Sequence, residues 1–168
     1  MLNLGRRRAA ALAVLASMAL LVGAAAPVAA TDFHDELPAG LACSFGLAID
    51  GSGGGPQNYH EFTDPNDNVT GFVLAGRGND LLFTNMDTGA TFSTRANGSV
   101  VKAALGPDSS LWTFMGHQVV ILFPTDVPAG PSTTLFVGQV VIEIDAAGNY
   151  FVQKVAGTQL DICAALTD

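Results

Sequence analysis

Leu81-Leu82-Phe83-Thr84-Asn85-Met86-Asp87-Thr88-Gly89-Ala90-Thr91-Phe92-Ser93-Thr94 reads as two short strands around a turn. Residues 81–85 and 90–95 are rich in the apolar, aromatic and β-branched side chains that fit a pleated, half-buried surface. Gly89 stands where a bulged hairpin turn needs a left-handed backbone. Pairing Asn85 with Ala90 sets Phe83 opposite Phe92 and Leu81 opposite Thr94, so both phenylalanines share one face. A slip of one residue parts them. The hairpin therefore predicts an antiparallel sheet with one buried side.

The same period of two extends in both directions from this hairpin. Cys43, Phe45, Leu47 and Ile49 share one parity, with Ser44, Gly46 and Asp50 on the other, as in a half-buried strand. A glycine-rich loop, residues 51–56, comes next, and then a short segment at 59–63. Asp64-Pro65-Asn66-Asp67-Asn68 reads as a turn before a strand at 69–75. Beyond the hairpin, Asn97-Gly98 reads as a tight turn into a strand at 99–105, and a further strand begins at Leu111. Residues 119–123 are apolar at every position, which predicts a strand covered on both sides and central to the domain. Phe136, Gly138, Val140, Ile142 and Ile144 line one face of the longest segment, 134–145. A turn at 145–149 leads to a strand at 150–156, and the tail at 158–166 reads as a short helical turn carrying Cys163. The expectation is one all-β domain, an antiparallel β-sandwich or β-barrel of about nine strands.

The N-terminus has the order of a signal peptide. Arg6, Arg7 and Arg8 precede a charge-free run from residue 9 to 26, which ends at Pro27, and Val28-Ala29-Ala30 places small residues before a cleavage point after Ala30. The alternative, a membrane anchor, asks for about 20 strongly apolar residues, whereas this run is largely alanine. Residues 1–30 are thus read as signal peptide and 31–168 as the single β domain, with 31–40 a mobile N-terminal segment. Secretion into the extracellular space is the expected location.

Beyond Ala30 the basic residues are Arg77, Arg95, Lys102 and Lys154 against fifteen acidic ones, a formal charge of −11. Nucleic acid is disfavoured as a partner, because phosphate backbones need clustered Lys and Arg. Anionic membrane surfaces are disfavoured for the same reason. Cys43 and Cys163 stand near the two ends of this region, and in an oxidising compartment their pairing as a disulfide is expected. Free or metal-binding thiols are the alternative, with no CxxC spacing to favour them.

Motifs for catalysis are missing. The sequence holds no GxSxG, HExxH, P-loop or strand-following GxGxxG, and no cofactor is implied. Trp112, Phe114 and His117 stand together as candidates for the mouth of a ligand pocket, with indole and imidazole as polar tips on apolar walls. The competing reading places both aromatics in the core. His34 and His60 read as incidental polar residues of a terminus and an exposed strand. Asp64, Asn66 and Asn68 reproduce the first half of a calcium-loop pattern, but Val69 stands where the loop glycine belongs and Ala75 where a bidentate glutamate belongs.

Leu41-Ala42-Cys43-Ser44-Phe45, the segment Asn85 to Thr94, and the segment Ile121 to Pro131 resemble a group of small secreted proteins of high-GC Gram-positive bacteria. That resemblance covers most of the region after Ala30. It implies secretion and a shared β fold, and brings no catalytic residue with it.

Two functional readings are compatible with these residues. The first is a secreted, non-enzymatic β domain that binds a cell-envelope component or a small ligand. The second is a calycin-like barrel with an apolar cavity, a carrier of hydrophobic small molecules or a cyclase-type enzyme. A filled interior favours the first and a cavity the second.

Overall fold

The computed structural model describes residues 28–29, 32–95 and 99–167. Residues 1–27, which hold most of the expected signal peptide, and the expected turn at Asn97-Gly98 lie outside them. The chain runs through β1 (Val28–Ala29), β2 (Phe33–Leu37), β3 (Leu47–Ser52), β4 (Pro56–Thr63), β5 (Val69–Gly76), β6 (Asp80–Asn85), β7 (Thr91–Thr94), β8 (Ser99–Leu105), β9 (Ser109–Leu122), β10 (Ser132–Asp145), β11 (Tyr150–Asp161) and the short helix α1 (Ile162–Ala165). The strands form two antiparallel sheets, a large one ordered β1-β4-β5-β8-β9-β10-β11 and a small one ordered β2-β3-β6-β7. The fold is a β-sandwich, with more strands than the nine expected from the sequence.

The hairpin forms in the register its phenylalanines demand. Phe83 pairs with Phe92 and Leu81 with Thr94, the two rings lie 6.4 Å apart, and the Asn85 amide donates to the Ala90 carbonyl. Gly89 is left-handed, at φ 77°. Residues 33–37, read as part of a mobile terminus, carry β2, which pairs along β3. The pairing holds although the strand is mostly polar. The His34 imidazole bonds the Asp50 carboxylate across it at 2.6 Å, and this bond, seconded by one to Glu36, raises the imidazole's pKa above 6.5.

Residues 109–122, expected as two strands, are one continuous strand with a bend in the middle. Gly116 of β9 pairs with Gly138 of β10, which pairs with Gly157 of β11, and all three have positive φ, at 88°, 141° and 116°. Only glycine adopts such angles at little cost. The bend is a geometric necessity. Leu122 pairs with Ser132 at one end of β10, and Tyr150 with Ile144 at the other. A straight strand would separate those ends by about 40 Å. Yet Val127, five residues past Leu122, exchanges two backbone hydrogen bonds with Tyr150 and Val152, and five residues reach at most about 18 Å. The three strands must fold back at the glycine row.

That fold-back explains why β9 is apolar at consecutive positions near its end. Val119 and Ile121, with Leu135 of β10, pack on Leu47, Ile49 and Phe83 of the small sheet and on Ile162 and Leu166 around α1. Val120 and Leu122 point the other way and join Phe136, Val140 and Ile142, with Phe114, Ile144, Tyr150 and Val152 at the margin. Residues 119–122 thus lie between two cores, as the sequence predicts, whereas Phe123, expected in the same strand, falls beyond β9 and is exposed. The loop at 123–131 closes the second core through Asp126, only 4 % exposed. Its carboxylate accepts from the backbone amides of Phe123 at 2.6 Å and Tyr150 at 2.8 Å.

The first core is closed by the chain's last turn. Cys43 and Cys163 lie at disulfide distance, their Cα atoms 5.6 Å apart, and join the segment before β3 to α1. A helix of one turn has no stability of its own. It is held by the buried Ile162 and Leu166, by the Asp161 cap on the Ala164 amide, and by the buried Asn85 side chain, which donates to the Leu166 carbonyl at 3.2 Å. Among the described residues no helix is long and apolar enough to cross a membrane.

Candidate functional site

The small sheet ends at β7, and in the large sheet β8 pairs with β9 only over residues 110–115 of the latter. Past Gly116, β9 therefore has β10 on one side and, among the described residues, no strand on the other. Beside that edge lies a cleft of about 340 Å³, to which β9 contributes His117, Gln118 and Val119 and the end of β7 contributes Thr94. Its walls include Leu81 from the small sheet, Leu74 and Val101 from β5 and β8, and Val119 and Leu135 from the strands beyond the glycine row. Phe33 covers one end. Its ring lies so close over Gly51 that a Cβ there would sit 2.1 Å from it, so the ring's position requires glycine at 51.

Polar groups gather at the rim. Arg95, His117, Gln118, Gln57 and Asn79 line the cleft, supplying a guanidinium, an imidazole and three amides. A second recess of about 390 Å³ is bounded by Ser52, Asp80, Leu82 and Ser93, and shares Leu81, Thr94 and Arg95 with the first. Asp80 accepts there from the Arg77 guanidinium through Oδ2 at 3.1 Å, while its Oδ1 is buried without a hydrogen-bond partner.

The three aromatic-pocket candidates are divided by the bend. His117 lines the cleft. Trp112 and Phe114 lie before Gly116 and stack on each other at 6.0 Å, with Phe72 edge-on to the indole at 5.3 Å and Tyr59 beyond it at 5.5 Å. This aromatic row runs across the large sheet, and the buried Ala103 between Phe72 and Trp112 leaves room for the two rings to touch over an intervening strand. Phe114 continues the row into the second core. The Trp112 indole donates to Ser110 at 2.8 Å. Tyr59 donates to Glu61 at 2.7 Å, and burial together with that carboxylate pushes its phenol up to about 12.

Asp64, Asn66 and Asn68 come together as a turn. The Asp64 carboxylate accepts from the Asn66 amide at 2.8 Å, the Asn68 amide at 3.0 Å and the Asn68 side chain at 3.0 Å. Asp145 repeats the arrangement with Ala147 and Asn149 at 2.8 and 2.9 Å. The fourth position is left-handed in both turns, Asp67 at φ 63° and Gly148 at φ 86°. His60 sits on β4 edge-on to Phe62 at 5.1 Å. Among the described residues no three His, Cys, Asp or Glu side chains are grouped to hold a metal ion.

These hydrogen bonds hold both turn carboxyls below the ordinary value of 3.8, the side chains of Asn68 and Asn149 contributing most. A carboxyl with a depressed folded pKa adds stability above its unfolded pKa and loses it as pH falls through the folded value. Both turns are therefore expected to loosen only in acid, below about pH 4. Asn149→Ala is expected to raise the Asp145 pKa toward 3.8 and leave Asp64 unchanged, as read by NMR titration of the two carboxyl carbons. An unmoved Asp145 would refute the account.

Comparison with protein-family models, with curated proteins and with solved structures finds no match. The site is therefore assigned from its own geometry. Sequence reading reached His117 but not Arg95, Leu74, Val101 or Leu135, which come from separate parts of the chain and meet only in the folded sandwich. The one local signal was Arg95, one of few cations in an acidic chain.

Proposed function

We propose that the protein is an exported, non-enzymatic binding domain that holds a small ligand in the cleft between β7 and β9. The observation that carries this reading is a recess of about 340 Å³ that joins apolar side chains of both sheets, Leu74, Leu81, Val101, Val119 and Leu135, with the polar Arg95, His117, Gln57 and Gln118. Natural small-molecule sites have this character and begin at about 300 Å³. Export is supported by the three arginines and the uncharged run before Pro27, by the acidic balance of the chain beyond Ala30, and by the cysteine pair, which suits an oxidising compartment. The signal-peptide reading also places Val28 and Ala29, which pair with β4, on the side of the cleavage point that is removed.

Filling the cleft tests the assignment. N-phenyl-1-naphthylamine, a neutral dye that brightens in apolar surroundings, is expected to bind the purified protein with micromolar affinity. Leu74→Trp is expected to weaken it at least tenfold, because the indole occupies the recess, whereas Leu111→Trp on the exposed side of β9 is expected to leave it unchanged. Equal binding by the two variants would remove the cleft as the site.

A further inference from the structure

The charge around the cleft runs against that of the chain. Fifteen acidic residues outnumber seven basic ones, yet among the described residues no aspartate or glutamate lines the cleft, and the rim carries the Arg95 guanidinium and the His117 imidazole. Asp80 lines the neighbouring recess, where its Oδ2 pairs with Arg77 and its Oδ1 is buried away from solvent. Behind the rim the walls are aliphatic and aromatic: Phe33, Leu74, Leu81, Val101, Val119 and Leu135. A neutral ligand would draw no benefit from a guanidinium at the mouth. A cationic one would meet repulsion.

Resting on the cleft as the binding site, we infer that its ligand is a single-chain anionic amphiphile, a carboxylate on an alkyl chain of about ten carbons. Such a chain occupies on the order of 300 Å³ at the packing density of a protein interior, which matches the recess. The alkyl chain lies along Leu81, Val119 and Leu135, and the carboxylate meets Arg95 at the rim. Guanidinium is suited to this partner because its planar donors match the two carboxylate oxygens. The exposed position of Arg95 keeps the interaction screened by solvent, so the charge sets preference while apolar burial supplies most of the affinity.

Calorimetric titration of the delipidated protein at pH 7.5 with decanoate, decan-1-ol and decyltrimethylammonium tests the inference. Decanoate is expected to bind about tenfold tighter than decanol, a difference of about 1.4 kcal/mol, with the ammonium weakest. Arg95→Gln is expected to reduce decanoate to the affinity of decanol without changing decanol, and Arg95→Lys to keep most of the preference. Decanoate and decanol binding equally, or an Arg95→Gln variant that still prefers decanoate, overturns the anionic assignment while the cleft stands. Failure of all three amphiphiles and of the neutral dye to bind removes the cleft itself.

Discussion

Gly138→Ala is expected to lower the unfolding free energy by about 4 kcal/mol, with a matching fall in the urea midpoint. Two costs add. At φ 141° the backbone of residue 138 is in a region that side chains rarely enter, worth roughly 1–3 kcal/mol. The new Cβ would also stand 2.3 Å from the Ala156 carbonyl oxygen and 3.0 Å from the Gly157 Cα, which are backbone atoms with no rotamer to yield. Relief would require unbending β10 and β11, and unbending separates Val120 and Phe136 from Val140 and Ile142 in the second core. Gly148→Ala is the control. It has positive φ but nothing within 4 Å of its Cβ, so about 1 kcal/mol is expected there. Because Gly157 would clash reciprocally with Val137 and Gly138, Gly138→Ala and Gly157→Ala together are expected to cost less than the sum of the two. A Gly138→Ala loss no larger than that of Gly148→Ala would show that the glycine row is not what bends the strands.

Replacing Cys43 and Cys163 together by alanine is expected to cost about 4–5 kcal/mol in the chain-entropy model of a cross-link. The pair spans 120 residues, so the open chain regains nearly the whole freedom of the domain when the bond is lost. The loss is expected to fall on the unfolded state first. Ile162 and Leu166 remain buried, and Thr133 still donates to the Ala42 carbonyl at 3.0 Å, so the segment before β3 and α1 keep non-covalent anchors. A domain of this size typically has about 5–15 kcal/mol in all, so the variant is expected to fold at low temperature and melt well below the parent. Urea titrations with and without reductant measure the effect directly. Unchanged midpoints, or two titratable thiols in protein recovered from outside the cell, would refute it.

The cleft depends on the first core more than on the second. Val119, Leu135 and Leu81 belong both to its wall and to that core or its margin. Loss of the disulfide is therefore expected to loosen ligand binding before the sheets separate, and the dye measured under reducing conditions reads that coupling. The glycine row enters as well, since the bend beyond Gly116 leaves one edge of β9 without a described strand beside it.

What the sequence determined by itself was whatever depends on neighbours along the chain. Phe83 and Phe92 set the hairpin register because a slip of one residue would turn one ring to water. The unbroken apolar run at 119–123 announced burial on two sides, and the two cysteines could pair only with each other. Polar strands escaped notice: β2 looks like a terminus because its stability lies in pairing with β3, a partner ten residues and more away. Only the tertiary structure decided where the strands bend and what the bend leaves open. Gly116, Gly138 and Gly157 are ordinary glycines until pairing sets them side by side, and Arg95, His117 and Leu74 share a cleft only once the two sheets are packed. Cross-strand alignment is a long-range property, fixed by the packing of two cores at once, and local periodicity carries no record of it.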